Sequence, residues 1–327
     1  VDWRGQDVWI VDTHADSLGA ALNGRRNLWT GARAPEGQAD FPRLRAGGVA
    51  LQFFSCWVES QYKPERALPR LLQYIDTFYA QVARDPAVSV VTACASLDEV
   101  LSRPQQLGAV LSVEGAEALG TDPAILRILW RLGVRLLSLT WNQRTLLADG
   151  AGEDPGGGGL SRAGRAMIEE MNRLHMMVDV SHLAAQGFWD VLEVSREAPI
   201  ASHSNCQAVA EHRRNLSDGQ IQALAKAGGV QGITFVTDFL GGTKDVAQVL
   251  AHVHHHLDVV GDDRHLGFGS DFDGVEEPVK GLEDATKWPQ LLDALSASGL
   301  SDATVAALAG GNYLRVFRER WSLVDQA

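Results

Sequence analysis

Apolar residues along this chain gather into eight short runs, at 8–14, 49–56, 108–115, 135–142, 176–182, 199–204, 228–235 and 265–274. Most are rich in Val, Ile, Leu or Phe, and several are nearly continuous in apolar character, as strands buried on both faces are. Between them the spacing changes to that of a helix. Over 161–174, Ala163, Met167, Met171 and Leu174 share one face, and Ser161 is placed to cap the first turn. Over 217–227, Ser217 takes the cap and Ile221, Leu224 and Ala225 form the packing face. Residues 66–84 and 243–260 are further predicted helices. Strands alternating with helices eight times, without a break in composition, predict an α/β fold: one parallel (β/α)8 TIM barrel filling 1–327 as a single catalytic domain.

Two stretches break the rhythm. Residues 17–47, with the turn-rich ARAPEGQADFP, follow the first run, and 143–160, with ADGAGEDPGGGGL, follow the fourth. In a barrel both lie on the rim where long loops shape a pocket. Gly156 to Gly159 lack the Lys-Ser/Thr that completes a phosphate loop, so they read as a turning loop.

Composition narrows the partners. A formal net charge of −12 argues against nucleic acid, whose binding relies on clustered Lys and Arg. Cys56, Cys94 and Cys206 are odd in number and have no CxxC spacing, which predicts reduced, mostly buried thiols in a cytoplasmic protein. No apolar run approaches the ~20 residues of a membrane span, so no membrane partner is expected. The first residue is Val1 rather than Met, as it is also in a chain shorn of a leader.

Polar residues stand at the downstream ends of these runs, where barrel enzymes build their sites. His14 and Asp16 close VWIVDTHAD, Glu114 closes GAVLSVEG, His182 closes MMVDVSH, His203 closes PIASHS, and Asp271 closes HLGFGSDFDG. Together they form a ligand set suited to two divalent metals and point to a binuclear metal hydrolase. His14 and Asp16, two apart on a strand, are expected on the same face. Asp12 shares that parity but lies deeper and suits a structural hydrogen bond. Glu114 ends an otherwise apolar strand, where a carboxylate is costly to bury unless paired or metal-bound. Its two oxygens can bridge two cations. His182 and His203 each offer one ring nitrogen to a metal while the other nitrogen is anchored. Asp271 is assigned to take a proton from a metal-activated water and deliver it to the leaving amine. Asp273, at the same parity, is the alternative. His252, His254, His255 and His256 lie on a predicted helix and read as a polar helix face ahead of a surface metal trap. His175 and His265 precede strands and read as structural.

The motifs VDTHAD, SVEGAE, GGGGLSRAGRAMIEEMNRLHMMVDVSH, ASHSN, HRRNLSD, GFGSDFDG and GGNYLRVF occur in this order nearly end to end. In this set the chain resembles the membrane (renal) dipeptidase family, the M19 metallopeptidases of the amidohydrolase superfamily. The resemblance implies a barrel with two zinc ions, bridged by a glutamate where many relatives use a carboxylated lysine. Carried over by motif, His14, Asp16 and Glu114 hold one zinc, Glu114, His182 and His203 hold the other, and Asp271 is the catalytic acid/base. It further implies hydrolysis of dipeptides by attack of a metal-bridging hydroxide, including dipeptides with a D-residue at the C-terminal position, and a homodimer. Arg214 of HRRN is expected to pair with the dipeptide's terminal carboxylate, a match for a guanidinium fork. Arg213 is expected to face solvent. The animal enzymes carry a substrate-contacting histidine after the fourth strand, where LSLTWNQ places Trp141. Tryptophan donates one N–H and cannot titrate, so Trp141 marks a different, bacterial-type subgroup and substrate range. The lipid-anchor signal of the animal enzymes has no counterpart in LRVFRERWSLVDQA. Two alternatives accompany this reading: the same binuclear site acting on a non-peptide amide or lactone, and a non-catalytic metal-binding barrel.

Overall fold

The computed structural model describes residues 1–30, 37–103 and 105–324. All eight apolar runs contain a strand: β1 (Ile10–Ala15), β2 (Val49–Trp57), β3 (Leu107–Glu114), β4 (Val134–Ser138), β5 (Met177–Asp179), β6 (Ile200–Ala201), β7 (Val230–Ile233) and β8 (Leu266–Phe268). Each pairs in parallel with the next. Pairing of β8 with β1, at Phe268 and Asp12, closes the (β/α)8 barrel. Closure leaves no edge to protect and aims the C-terminal ends of all eight strands at one mouth.

The helices form where their caps and apolar stripes require. Ser161 accepts the Gly164 N–H at 3.0 Å at the start of helix Arg162–Arg173, which buries Met167 and Met171. Ser217 and Gln220 form a reciprocal capping box at the start of helix Asp218–Lys226, which buries Ile221 and Leu224. Helices Ala67–Val82 and Val246–Val260 occupy the other two predicted stretches. A short strand, Val88–Val90, pairs beside β3 without entering the barrel, and it was not predicted.

Two expectations need correction. The later strands stop earlier than their apolar runs, so Trp141, His182, His203 and Asp271 stand on loops just past β4, β5, β6 and β8. Three residues past the ends of β5 and β8 the backbone turns left-handed, at His182 and Asp271 (φ 70° and 63°), a conformation no strand adopts. Simple alternation also fails on β1. A register shift against β2 between Asp12 and Ala15 inserts an extra residue, and Asp16 lies beyond the strand. Of the excursion 17–47, helices Ser17–Leu22 and Phe41–Ala46 are seen, while the start of ARAPEGQADFP, residues 32–36, lies outside the described residues.

The opposite end of the barrel is plugged. Helix Asn312–Val324 stacks Tyr313 on Phe317 and Phe317 on Trp321, with centroids 5.6 and 5.0 Å apart. Phe317 also meets Phe53 of β2 at 5.1 Å. Buried aromatic rings of this size each remove roughly 150–250 Å² from water, so this floor is both a seal and a large share of the core.

Candidate active site

At the open end, six predicted side chains converge. His14 Nε2 lies 3.7 Å from Asp16 Oδ1, 3.7 Å from Glu114 Oε2 and 3.8 Å from Asp271 Oδ1. Glu114 turns its other oxygen, Oε1, to His182 Nε2 at 2.7 Å and His203 Nε2 at 3.5 Å. The Nε2 atoms of His182 and His203 face one another at 2.9 Å. The junction of β1 and β8 sets this geometry. The Asp271 N–H donates to His14 O at 3.0 Å and the Asp16 N–H donates to Phe272 O at 2.9 Å, so the two loop ends are zipped together. The left-handed backbone at His182, Asp271 and Asp273 costs on the order of 1–3 kcal/mol each, and such strain persists only where surrounding contacts hold it.

Electrostatics show what the cluster needs. Burial alone would lower the pKa of His14, but the carboxylates of Glu114, Asp16 and Asp271 override it and raise the value to about 10. Burial would raise Glu114, yet His14 and His203 hold it down at about 2. Burial, aided by Asp16 and Glu114, pushes Asp271 up to about 7. His182 and His203 are driven well below the usual imidazole range by burial and by the nearby positive charge of Arg214 and His14. Three acidic groups packed around one buried ring thus demand a positive charge. His14 Nε2 is buried without a hydrogen-bond partner, as is Asp16 Oδ1. The Nε2 atoms of His182 and His203, 2.9 Å apart, can share one proton or converge on one cation. The donor set of three imidazoles and three carboxylates therefore fits divalent cations of the zinc, cobalt or manganese type. Two overlapping triads, His14/Glu114/His203 and His14/Asp16/Asp271, each hold ligand atoms within 4.8 Å of one another.

The site opens into a cavity of about 410 Å³ lined by Asp16, Glu114, His182 and Asp271 on the floor and by Trp57, Trp141 and Phe239 among its walls. Trp141 and Trp57 sit 5.3 Å apart, with Lys63 Nζ over both rings at 5.6 and 5.7 Å. Lys63 pairs with Glu117 at 2.7 Å. A second cavity, about 790 Å³, shares His182 and is lined by Arg214 and Arg213. Arg214 is buried. Its Nη2 donates to His203 O at 3.0 Å and its Nη1 to Ser204 Oγ at 3.3 Å, while its Nε has no partner. Burial lowers its pKa to about 10, so it remains charged at neutral pH. Arg213 is the exposed neighbour, reaching Gly152 O at 3.4 Å.

Other side chains go elsewhere. Asp273 binds Arg26, the hydroxyl of Ser17 at 2.5 Å and the Gln38 N–H at 2.8 Å, so it anchors the long first loop to the mouth. Of the four helical histidines, His254 and His255 are half-buried and pair with Ser298 and Asp218, while His252 and His256 leave the polar face and turn inward. His252 Nδ1 accepts the Cys206 N–H at 3.1 Å, and His256 Nδ1 meets Gln231 Oε1 at 2.8 Å, both rings being buried. Gln231 in turn donates to Ser204 O and Asn205 O at 2.9 and 3.0 Å. They secure the segment that follows His203. His175 pairs with Glu197 and His265 with Gly229 O, both away from the mouth, as expected. Sequence reasoning missed Asn142, whose Oδ1 lies 2.9 Å from His182 Nδ1, and Ser202, whose Oγ lies 2.7 Å from His203 Nδ1. The signal available was a polar residue adjacent to each assigned one, in TWNQ and ASHS.

Fold and site together define a (β/α)8 barrel of the metal-dependent hydrolase type. Residues 5–326 match the family described as membrane dipeptidase, peptidase family M19. Dipeptidase aclJ of Aspergillus oryzae is 35% identical over 294 residues, covering 86% of this chain and 69% of the relative. The crystal structure of dipeptidase AC, an M19 metallopeptidase, superposes with a TM-score of 0.89 at 30% identity, over 97% of this chain and 99% of that one. A metallopeptidase from Rhodobacter sphaeroides, liganded with a phosphinate mimic of the dipeptide L-Ala-D-Ala, gives the same TM-score and identity over 97% of this chain and 100% of that one. The chain belongs to the membrane dipeptidase family, and as a member it is a metal-dependent peptide hydrolase.

Proposed function

We propose that the protein is a zinc dipeptidase with two metal positions, His14/Asp16/Glu114 and Glu114/His182/His203. One observation carries the reading: Glu114 turns one oxygen to His14 and the other to His182 and His203, as a bridging carboxylate between two ligand sets must. When bound, the metal pair supplies Lewis-acid polarisation of the scissile carbonyl and a nucleophilic water at neutral pH. The side chains do the rest. Asp271, within the same floor, takes the proton of the attacking water and passes it to the amine as the C–N bond breaks, which leaves two free amino acids. Arg214 receives the C-terminal carboxylate through donors its two existing bonds leave free, which favours dipeptides over longer chains whose corresponding group is an uncharged amide. Trp141, beside Trp57, walls the substrate cavity with apolar surface. The L-Ala-D-Ala mimic held by the Rhodobacter relative supports acceptance of a D-residue at the C-terminal position. A cytoplasmic homodimer is the setting proposed, on the buried thiols of Cys56 and Cys206 and on family precedent.

The test is a panel of L,L- and L,D-dipeptides, N-acylated amino acids and lactones, incubated with zinc-loaded protein, with the released products quantified. Chelator-sensitive release from dipeptides is expected. Release from lactones or acylated amino acids alone, with two metals bound per chain, refutes the dipeptidase assignment. No helix among the described residues is long and apolar enough to cross a membrane.

A further inference from the structure

We infer that Asp179 and Ser202 form a brace that leaves the Nε2 lone pair of His203 free for a metal, a positioning role beyond holding the barrel together. This rests on the reading of His203 as a metal ligand. Asp179, at the end of β5, is buried and accepts from donors on four sides. Its Oδ1 takes the N–H groups of Ser181 and Ser202, both at 2.9 Å. Its Oδ2 takes the hydroxyls of Ser138 at 2.7 Å and Ser202 at 2.6 Å. Four donors fill the acceptor sites of the carboxylate, so Asp179 serves as an acceptor here.

The consequence passes through one hydroxyl. Ser202 has a single O–H, and Asp179 Oδ2 at 2.6 Å is a nearer and stronger acceptor for it than Ser181 Oγ at 3.3 Å. Ser202 Oγ can then only accept from His203 Nδ1, 2.7 Å away. A proton held on Nδ1 leaves Nε2 bare, and Nε2 is the atom that faces Glu114 and His182. Buried carboxylate, hydroxyl and imidazole thus run in one line, and the end of that line is the proposed zinc. Asn142 gives His182 the same orientation through a neutral amide. Asp12 provides an internal contrast. It receives the Ser270 N–H at 2.8 Å and the Ser270 hydroxyl at 2.6 Å, just before Asp271, in the same pattern. The Ser270 hydroxyl meets only main-chain groups besides Asp12, so that pair shapes backbone and orients no ring.

Two measurements test the brace. The first is nitrogen–proton correlation of the imidazoles in the metal-free wild-type protein, with His203 assigned by its loss in His203→Asn. The Nδ1–H form is expected in the wild-type protein, and the Nε2–H form overturns the inference. The second is zinc affinity, by competition with a chromophoric chelator, for Ser202→Ala and Ser138→Ala. Both variants remove one hydroxyl bond to the same oxygen of Asp179, but only Ser202 touches the ring. Ser202→Ala should weaken one of the two zinc sites by ~10–100-fold, the range found when partners of a ligating histidine are removed, and leave the other site intact. Ser138→Ala should leave both constants unchanged. Equal weakening in both variants, or none in Ser202→Ala, overturns the inference while the zinc reading stands. Wild-type protein that takes up no zinc overturns the zinc reading and the brace with it.

Discussion

Asp271→Asn separates two roles, metal ligand and proton carrier, that distance alone leaves equivalent. Asp16, Glu114 and Asp271 each place an oxygen 3.7 to 3.8 Å from His14 Nε2, so distance alone would admit Asp271 as a ligand. Asparagine keeps the shape of the side chain and the backbone bonds of residue 271, which are the N–H to His14 O and the carbonyl to the Gly274 N–H, both at 3.0 Å. It removes the ability to accept and return a proton. General acid–base catalysis contributes ~10²–10⁴ in rate, or about 2.7–5.5 kcal/mol at 1.36 kcal/mol per tenfold. The expected variant retains two zinc ions after gel filtration and loses kcat by that factor on a good dipeptide, with KM little changed. Stability should move the other way. Burial, with Asp16 and Glu114 nearby, raises Asp271 to about 7, so its ionised form is disfavoured on folding and the penalty grows as pH rises from about 4 through 7. The metal-free variant should therefore melt at or above wild type at pH 8. Loss of one zinc equivalent would make Asp271 a ligand, and a kcat above a tenth of wild type would remove it from proton transfer.

Three further outcomes follow from other parts of the molecule. Arg214→Met should cut kcat/KM for dipeptides by ~10–150-fold, the worth of a charge-assisted hydrogen bond of ~1.5–3 kcal/mol, and should narrow the gap between a dipeptide and its C-terminal amide; an undiminished preference for the free carboxylate would show that another group reads it. His256 is lowered by burial, and further by His265, from 6.5 to about 3, so the unfolded chain gains its proton first and the stability present above pH 6.5 is lost as pH falls towards 3. Urea unfolding at pH 7 and pH 4.5 should show wild type losing about 2–3 kcal/mol more than His256→Gln across that interval, at roughly 1.4 kcal/mol per pH unit, and parallel losses would refute the assignment. Phe317→Ala in the barrel floor should cost ~3–5 kcal/mol by calorimetry or denaturant while zinc content stays at wild type, because the floor lies at the end of the barrel opposite the mouth; a parallel loss of metal would contradict that separation.

The sequence carried the barrel more openly than it carried the supports of its site. Strands buried on both faces are mostly apolar, so each left a short apolar run, and a His, Asp or Glu ending such a run is conspicuous because burying it is costly. Strand length was overread for a related reason. Leu139, Val180 and Phe272 are buried loop residues, as apolar as the strands they follow, and only the left-handed turns at His182 and Asp271 mark the change. Supporting residues leave no such trace, since Asn142, Asp179 and Ser202 are small polar side chains near strand ends, where such residues are ordinary. Their meaning lies in partners that periodicity does not reach. Asp271 and Asp273 have the same spacing and surroundings in sequence, and what separates them is Arg26, 247 residues away, arriving on a loop with no repeat to read. His252 and His256 look like a polar helix face until Cys206 and Gln231 are found beneath them. The clustered His, Asp and Glu side chains were legible because buried groups of these few types stand out at strand ends. Their supports were not, because any residue able to donate or accept in the right direction serves, and direction belongs to the fold. Tests of this site should therefore pair each assigned residue with its support: Asp271 with Ser270 and Asp12, and His203 with Ser202 and Asp179.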